Sequence, residues 1–316
     1  MQTTNQILRK RKRATQLNDL GNDVLSHILS FLTLEEAMQT SILCKRWQYI
    51  WLPHPFLKLK QKRVHSSYGF LKFIQRILTL RGSSKLIKFK LKSQTNSSSL
   101  IESLISAAVK CEVEECELHL KANMKDPIFF PHMLHNSSTL TYLEIKMTYQ
   151  VRLIVHPSMC TLPNLKILKL RRVTFFEQQP TKSLFSGCLA LEELRLQHCL
   201  WEGVTTVTIP SSNLHTLVIE EPLCDFSYDP KIANKFIIGG DRLKVLDYRG
   251  RLFFEYNLLN NKLLEDSSIM HCPLWDEYQE LIQSRYHKLL SQAKHISQRT
   301  DGGYGLIPRR KCRYCE

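Results

Sequence analysis

A chain of 316 residues with 43% apolar and 23% charged side chains has the material for a sizeable core, which excludes a disordered polypeptide. Forty-four Lys and Arg against 29 Asp and Glu leave a net charge of +15, a balance that favours acidic partners and says nothing about fold. No run approaches the roughly 18 uncharged apolar residues of a membrane span, so no membrane association is expected. The opening MQTTNQILRKRKRATQLNDL has a basic run without the apolar stretch of a secretory signal, and the expectation is a soluble protein of the nucleus and/or cytoplasm. In those compartments the ten cysteines are expected to stay reduced.

Residues 1–16 read as a basic disordered tail. Its Arg9–Arg13 cluster suits a nuclear import signal, a nucleic-acid contact or simply a solvated tail. The first periodic element follows at Asn22–Leu32, where Val24, Leu25, Ile28, Leu29 and Leu32 recur at helical spacing. A second helix starts after Thr33, with Thr33 and Glu36 placed as a capping box. A third is predicted to carry Ile42, Leu43, Lys45, Arg46, Trp47, Ile50 and Trp51 before Pro53 and Pro55 stop it. A unit this small buries little of its own surface, so part of its apolar stripe is expected to meet another chain or the following domain.

The run LNDLGNDVLSHILSFLTLEEAMQTSILCKRWQYIWLP, residues 17–53, resembles a plant-type F-box. It carries the family's acidic-Leu-Leu opening at Asp23–Leu25 with Val24 in the first apolar place, its Ile-Leu-Ser-Phe-Leu at Ile28–Leu32, and its Thr-Ser-x-Leu-x-Lys-Arg-Trp at Thr40–Trp47. One departure is Leu20-Gly21, where the family has Leu-Pro. Proline would stiffen the backbone there, so glycine is expected to weaken partner affinity by up to about 1 kcal/mol. The resemblance implies docking on the Skp-type adaptor of a cullin-RING ubiquitin ligase through Leu20, Gly21, Val24, Leu25, Ile28, Leu29, Leu32, Leu43 and Trp47.

The second feature is a period. Leu-x-x-Leu-x-Leu, with other apolar residues allowed, opens at Leu86, Val113, Leu140, Leu165, Leu191, Leu214 and Leu243, in steps of 27, 27, 25, 26, 23 and 29 residues. This is the spacing of leucine-rich repeats, each a short strand and a return. A single repeat cannot enclose its three apolar side chains, whereas a stack can. The predicted fold is therefore α/β: a three-helix F-box, then a solenoid with a parallel sheet on its concave side. Residues 54–84 are assigned to a linker and a capping helix with Phe70, Ile74, Ile77 and Leu78 inward. The solenoid is placed at 85–250, with a helical return near Ser99–Ala108 opened by a Ser99/Glu102 capping box. An irregular or helical cap at 251–299, with a helix over Trp275–Gln298, and a flexible tail at 300–316 complete the chain. Relatives of this type often carry a further C-terminal module, of which no convincing copy is seen.

No nucleophile elbow, phosphate loop, dinucleotide fingerprint or His-Glu-x-x-His pair is present, so no enzyme is expected. Gly302–Gly305, Cys312-x-x-Cys315 and His132-x-x-His135 lack the context that would make them phosphate or metal sites; no cofactor or metal is expected. Side chains between the apolar repeat positions should face the concave surface, and the early and middle rungs are basic. Lys90, Tyr142, Lys146, Lys169, Arg171 and Arg195 are the candidate contacts to an acidic protein substrate. The expected role is that of a non-catalytic adaptor. A basic scaffold binding nucleic acid, or an F-box protein acting outside a ligase, are the alternatives, and nucleic acid is the less expected partner because no interleaved aromatics accompany the basic run.

Overall fold

The computed structural model describes residues 17–61, 67–82, 84–94, 97–121, 128–129, 137–154, 162–210, 212–222, 234–239, 241–260, 264, 266–271, 278–292 and 296–297. The tail cluster Arg9–Arg13, the His132/His135 pair, Trp275, the Gly302–Gly305 run and the Cys312/Cys315 pair lie outside them. The chain divides into two compact units, one ending at Pro55 and one beginning at Phe56.

The first unit contains α1 (Asn22–Ser30) and α2 (Leu34–Gln39). The capping box forms as the sequence predicts: Glu36 N–H donates to Thr33 Oγ1 at 3.3 Å, and Thr33 N–H donates to the Glu36 carboxylate at 2.8 Å. These contacts hold the Glu36 carboxyl below its ordinary value, the Thr33 amide being the largest cause. The predicted third helix does not form. In its place are two 3-10 turns, Thr40–Ile42 and Lys45–Gln48, separated by an extended Cys44 with φ −167° and ψ 172°. The Thr40 and Ser41 hydroxyls donate to the Ala37 and Met38 carbonyls at 2.7 and 2.5 Å, which competes with continuation of a regular helix.

The strands of the second unit are β1 (Phe56–Lys60), β2 (Lys88–Gln94), β3 (Glu115–Lys121), β4 (Ile128–Phe129), β5 (Tyr142–Ile154), β6 (Ile167–Phe175), β7 (Glu193–Gln197), β8 (Leu200–Trp201), β9 (Thr206–Ile209), β10 (Thr216–Glu220), β11 (Lys235–Gly239), β12 (Val245–Gly250), β13 (Glu255–Leu259), β14 (Asp266–His271) and β15 (Ile296–Ser297). Its helices are α3 (Ser67–Arg81), α4 (Ser98–Lys110), α5 (Gln178–Ser186) and α6 (Gln279–Ser291). A parallel sheet runs β1-β2-β3-β5-β6-β7-β10-β12-β14-β15, with β4 beside β5 and β8 beside β6. The seven repeat openings are all buried, and the next apolar position forms one continuous row, Phe89↔Cys116↔Leu143↔Leu168↔Leu194↔Leu217↔Leu246. Register holds because a slip by one residue would expose every apolar side chain of a rung.

The sheet is longer than the period predicts. β1 adds a rung before the first repeat, with Leu57 and Leu59 opposite Phe89 and Leu91, inside the stretch assigned to a linker. β14 adds one beyond Gly250, with Ser267 opposite Leu246 and Ile269 opposite Tyr248. Early returns are helical, as α3, α4 and α5 show, whereas β9, β11 and β13 are returns that pair with one another in a second parallel sheet. A chain of rings joins the elements: Phe175 stacks on Trp201 at 4.4 Å, Trp201 meets Phe236 edge-on at 5.1 Å, and Phe236 stacks on Tyr256 at 5.0 Å.

Local details differ from the sequence reading in instructive ways. In α3 the buried face is Leu71, Ile74, Ile77 and Leu78, with Phe70 only half-buried. In α4 the cap is Ser97, whose hydroxyl accepts from Leu100 N–H at 3.3 Å, and Ile101, Leu104, Ile105 and Ala108 face inward as predicted. α6 begins at Gln279 and buries Ile282, Arg285 and Leu289. Arg285 donates to the carbonyls of Leu252 and Phe253 at 2.9 and 2.7 Å. The same turn is held from the other side by the fully buried Glu221, which accepts from Arg251 N–H at 2.9 Å and Tyr256 O–H at 2.7 Å. Gly250 is required here, since a Cβ would lie 2.7 Å from Glu221 Cβ.

Candidate functional site

Two surfaces are candidate functional sites, one in each unit. In the first, α1 places Leu25 and Leu29 four residues apart on its inner side, and both are buried; Trp47 is buried with its indole N–H donating to Asn18 Oδ1 at 2.6 Å. These three residues, expected among the adaptor contacts, instead form the interior of the unit. The correction has a geometric cause: neighbours on a helix point about 100° apart, so the stripe splits into an inner pair, Leu25 and Leu29, and an outer pair, Val24 and Ile28. Val24, Ile28 and Leu32 are exposed, as are Phe31 at 78%, Ile42 at 85% and Leu43 at 62%. Leu20 is half-buried and Gly21 exposed. Phe31 and Ile42 are outward apolar residues that the sequence reading leaves out of the adaptor set; a periodicity argument sorts them no further than "helical".

The segment bearing Leu20 and Gly21 is fastened to the rest of the unit by Arg46. Its guanidinium donates to Asn22 Oδ1 at 3.0 and 3.2 Å and to the carbonyls of Asn18 and Leu20. His54, also buried, lies 3.0 Å through Nε2 from the Leu32 carbonyl.

The second surface is the polar face of the large sheet. Of the six expected substrate contacts, four are engaged within the face. Lys90 pairs with Glu117, Lys169 with Glu193 at 3.2 Å, and Arg195 with Glu193. Tyr142 donates to Glu144 at 2.8 Å and lies between the ammonium groups of Lys88 and Lys169, 5.8 and 5.4 Å from its ring centre. Lys88 bridges Glu115 and Glu117 at 2.7 and 2.6 Å. Burial pushes the Glu117 carboxyl up, yet hydrogen bonds from Lys88 and Lys90 more than offset it and leave it below its ordinary value. Glu144 is held at about 2, chiefly by the close approach of His119, whose Nε2 lies 3.1 Å from its carboxylate. Burial, then the bond to Glu144, raises the Tyr142 hydroxyl. The acids Glu115 and Glu117 belong to the Val113 rung, from which the sequence reading takes no face residue.

Glu117, His119 and Glu144 bring three ligand atoms within 4.8 Å of one another. Lys88 and Lys90 already neutralise Glu117, so a cation would have to displace or outcompete two ammonium groups; the arrangement is that of an ion-pair network. The remaining expected contacts, Lys146 and Arg171, sit apart from it. They line a groove of about 830 Å³ together with Lys60, Lys92, Lys121 and Arg172. The described cysteines 44, 111, 116, 188 and 199 are free thiols. Cys199, predicted to be a small inward thiol after its strand, is buried, and burial pushes it up to about 12, well outside the range of a reactive thiolate. Among the described residues no helix is long and apolar enough to cross a membrane.

Fold and surfaces together define a class: a leucine-rich-repeat solenoid preceded by a small helical unit whose apolar residues are partly left outward. Residues 17–59 match the F-box domain, and residues 101–229 match the family described as FBD-associated F-box protein At5g56370, LRR repeats. The chain thus carries an F-box domain followed by a leucine-rich-repeat region. Among relatives from Arabidopsis thaliana, the putative F-box/LRR-repeat protein At3g58880 is 29% identical over 292 residues, covering 87% of this chain and 61% of the relative. The F-box/LRR-repeat protein At3g59190 is 28% identical over 268 residues, 80% of this chain and 66% of the relative. The F-box protein At3g59000 is 33% identical over 230 residues, 68% and 46% respectively. The chain therefore spans from about half to two thirds of the length of these relatives.

Proposed function

We propose that this chain is the substrate-recognition subunit of a ubiquitin ligase of the Skp–cullin–F-box type, with the F-box docking on a Skp-type adaptor, and through it cullin and RING subunits, and the repeats holding a protein substrate. The observation that carries this reading is the set of outward apolar residues on the F-box unit, Val24, Ile28, Phe31, Leu32, Ile42 and Leu43: water-facing groups of this size gain free energy only when another surface covers them. The chain needs no nucleophile of its own. Two binding surfaces on one body raise the effective concentration of a substrate lysine near a thioester made elsewhere, which is catalysis by proximity. The proposed place of action is the nucleus and/or cytoplasm.

The test is capture of a Skp-type adaptor by the full chain. Ile28→Asp with Leu43→Asp places charges at two exposed positions, so the fold measured by circular dichroism is expected to be unchanged. Each apolar contact is worth about 1.5–3 kcal/mol at an interface. Adaptor capture is expected to fall by about a hundredfold, and undiminished capture overturns the proposal.

A further inference from the structure

The polar face of the sheet holds two electrostatically different territories. The row Lys90↔Glu117↔Glu144↔Lys169↔Arg195 mixes both signs, and its cations are paired, Lys90 with Glu117 and both Lys169 and Arg195 with Glu193 of a neighbouring row. The next row toward the carboxyl ends of the strands is Lys60↔Lys92↔His119↔Lys146↔Arg171. With Lys121 and Arg172 these residues line the groove of about 830 Å³, and among the described residues no Asp or Glu lines it. Among the described residues Lys60, Lys92, Lys121, Lys146 and Arg171 have no ion-pair partner, while Arg172 donates to the Thr148 carbonyl. Five cations without an ion-pair partner among the described residues, beside a row in which the cations are matched, form a site of positive potential that an external counter-charge would complement.

The row's length limits what supplies that charge. Five adjacent strands, β1, β2, β3, β5 and β6, at about 4.8 Å between neighbours, spread it over roughly 19 Å. A single phosphate or a compact polyphosphate reaches only part of such a row. An extended peptide rises about 3.3 Å per residue, so roughly six residues cross the whole of it. Lysines dominate the lining, and their flexible point charges accept carboxylates in varied positions without demanding one planar geometry.

We propose that this groove binds an extended acidic segment, about six residues long, of the protein substrate, laid across β1 to β6. That the segment belongs to a substrate rests on the ligase reading above; the groove's preference for acidic peptide does not.

The probe is a fluorescein-labelled octaglutamate peptide titrated into the full chain by anisotropy. Saturable binding is expected, weakened by salt and by about tenfold or more in Lys92→Glu with Lys146→Glu, two exposed positions. Lys110→Glu with Lys182→Glu changes the net charge equally at exposed positions on α4 and α5 and is expected to leave affinity nearly unchanged. No binding, equal losses in the two double variants, or tighter binding of inositol hexakisphosphate or of an octathymidylate strand overturns the proposal. Adaptor capture is measured on the same proteins: capture retained with no peptide binding sinks the groove alone, whereas peptide binding retained without capture supports the groove and sinks the ligase reading.

Discussion

Position 21 already has the backbone of a proline. Gly21 sits at φ −62° and ψ 154° as the N-cap of α1, its carbonyl accepts from Leu25 N–H at 3.1 Å, and a Cβ built there meets nothing within 4 Å. Proline's ring fixes φ near −65°, so the substitution asks for no rearrangement at this residue and removes freedom from the unfolded chain. Gly21→Pro is therefore expected to stabilise the F-box unit by about 0.5–1 kcal/mol, read as a raised midpoint in chemical denaturation. Adaptor affinity is expected to rise with it, because the loop carrying Leu20 is then ordered before binding. A lowered midpoint would show that the native turn draws on glycine's freedom despite its proline-like angle. The residue scale also explains what sequence alone could not sort in the F-box. Leu25 and Val24 are alike as letters, but one is sealed and the other is open to water; the difference is set by where Trp47, Leu34 and Ala37 close the unit, which no local pattern encodes.

Among the elements, the rungs were legible because three apolar positions at fixed offsets leave a signature that substitutions such as Phe89 and Cys116 do not erase; both remain buried and in register. β1 and β14 escaped because their signatures are truncated. β1 is Phe-Leu-Lys-Leu-Lys at the edge of the sheet, and β14 puts a buried Ser267 where its neighbours have leucine. Missing β1 hid one end of the basic row, and leaving out the acids of β3 hid the partners of Lys88 and Lys90. Glu144 of β5, 3.1 Å from His119 of β3, makes an acid-sensitive joint between the two strands. Glu144 is held at about 2 against an ordinary 4.5, so its folded value is depressed: its stabilising contribution is present above about pH 4.5 and is lost as pH falls from there toward 2. Its side chain is about one-fifth exposed, and with that screening the contribution is about 2 kcal/mol. Urea midpoints measured at pH 6 and pH 3 are expected to differ less for Glu144→Gln than for the parent chain, with the variant the weaker of the two at pH 6. Equal pH dependence in both would assign the acid sensitivity to other carboxylates.

At the scale of the whole molecule, the boundary between Pro55 and Phe56 separates two compact units. The solenoid distributes its core along a row of equivalent positions, so each rung leans on its neighbours and damage at one site is shared along the stack. The F-box has no such reserve, because a unit this small closes on a handful of side chains, Leu25, Leu29, Leu34, Ala37 and Trp47. Leu25→Asp puts a carboxylate at a fully buried position, and an unpaired buried charge costs several kcal/mol, comparable to the entire stability of a small domain. Hydrogen exchange read by mass spectrometry on the full chain is expected to show lost protection across residues 17–55, with the amides of β2, β3, β6 and β12 still protected. Adaptor capture is then lost through unfolding, whereas Ile28→Asp with Leu43→Asp loses it with protection intact, and that contrast separates a core residue from a contact residue more sharply than capture alone. If Leu25→Asp instead raised exchange through β2 to β12, the two units would share one unfolding transition and the division at Pro55 would carry no energetic meaning.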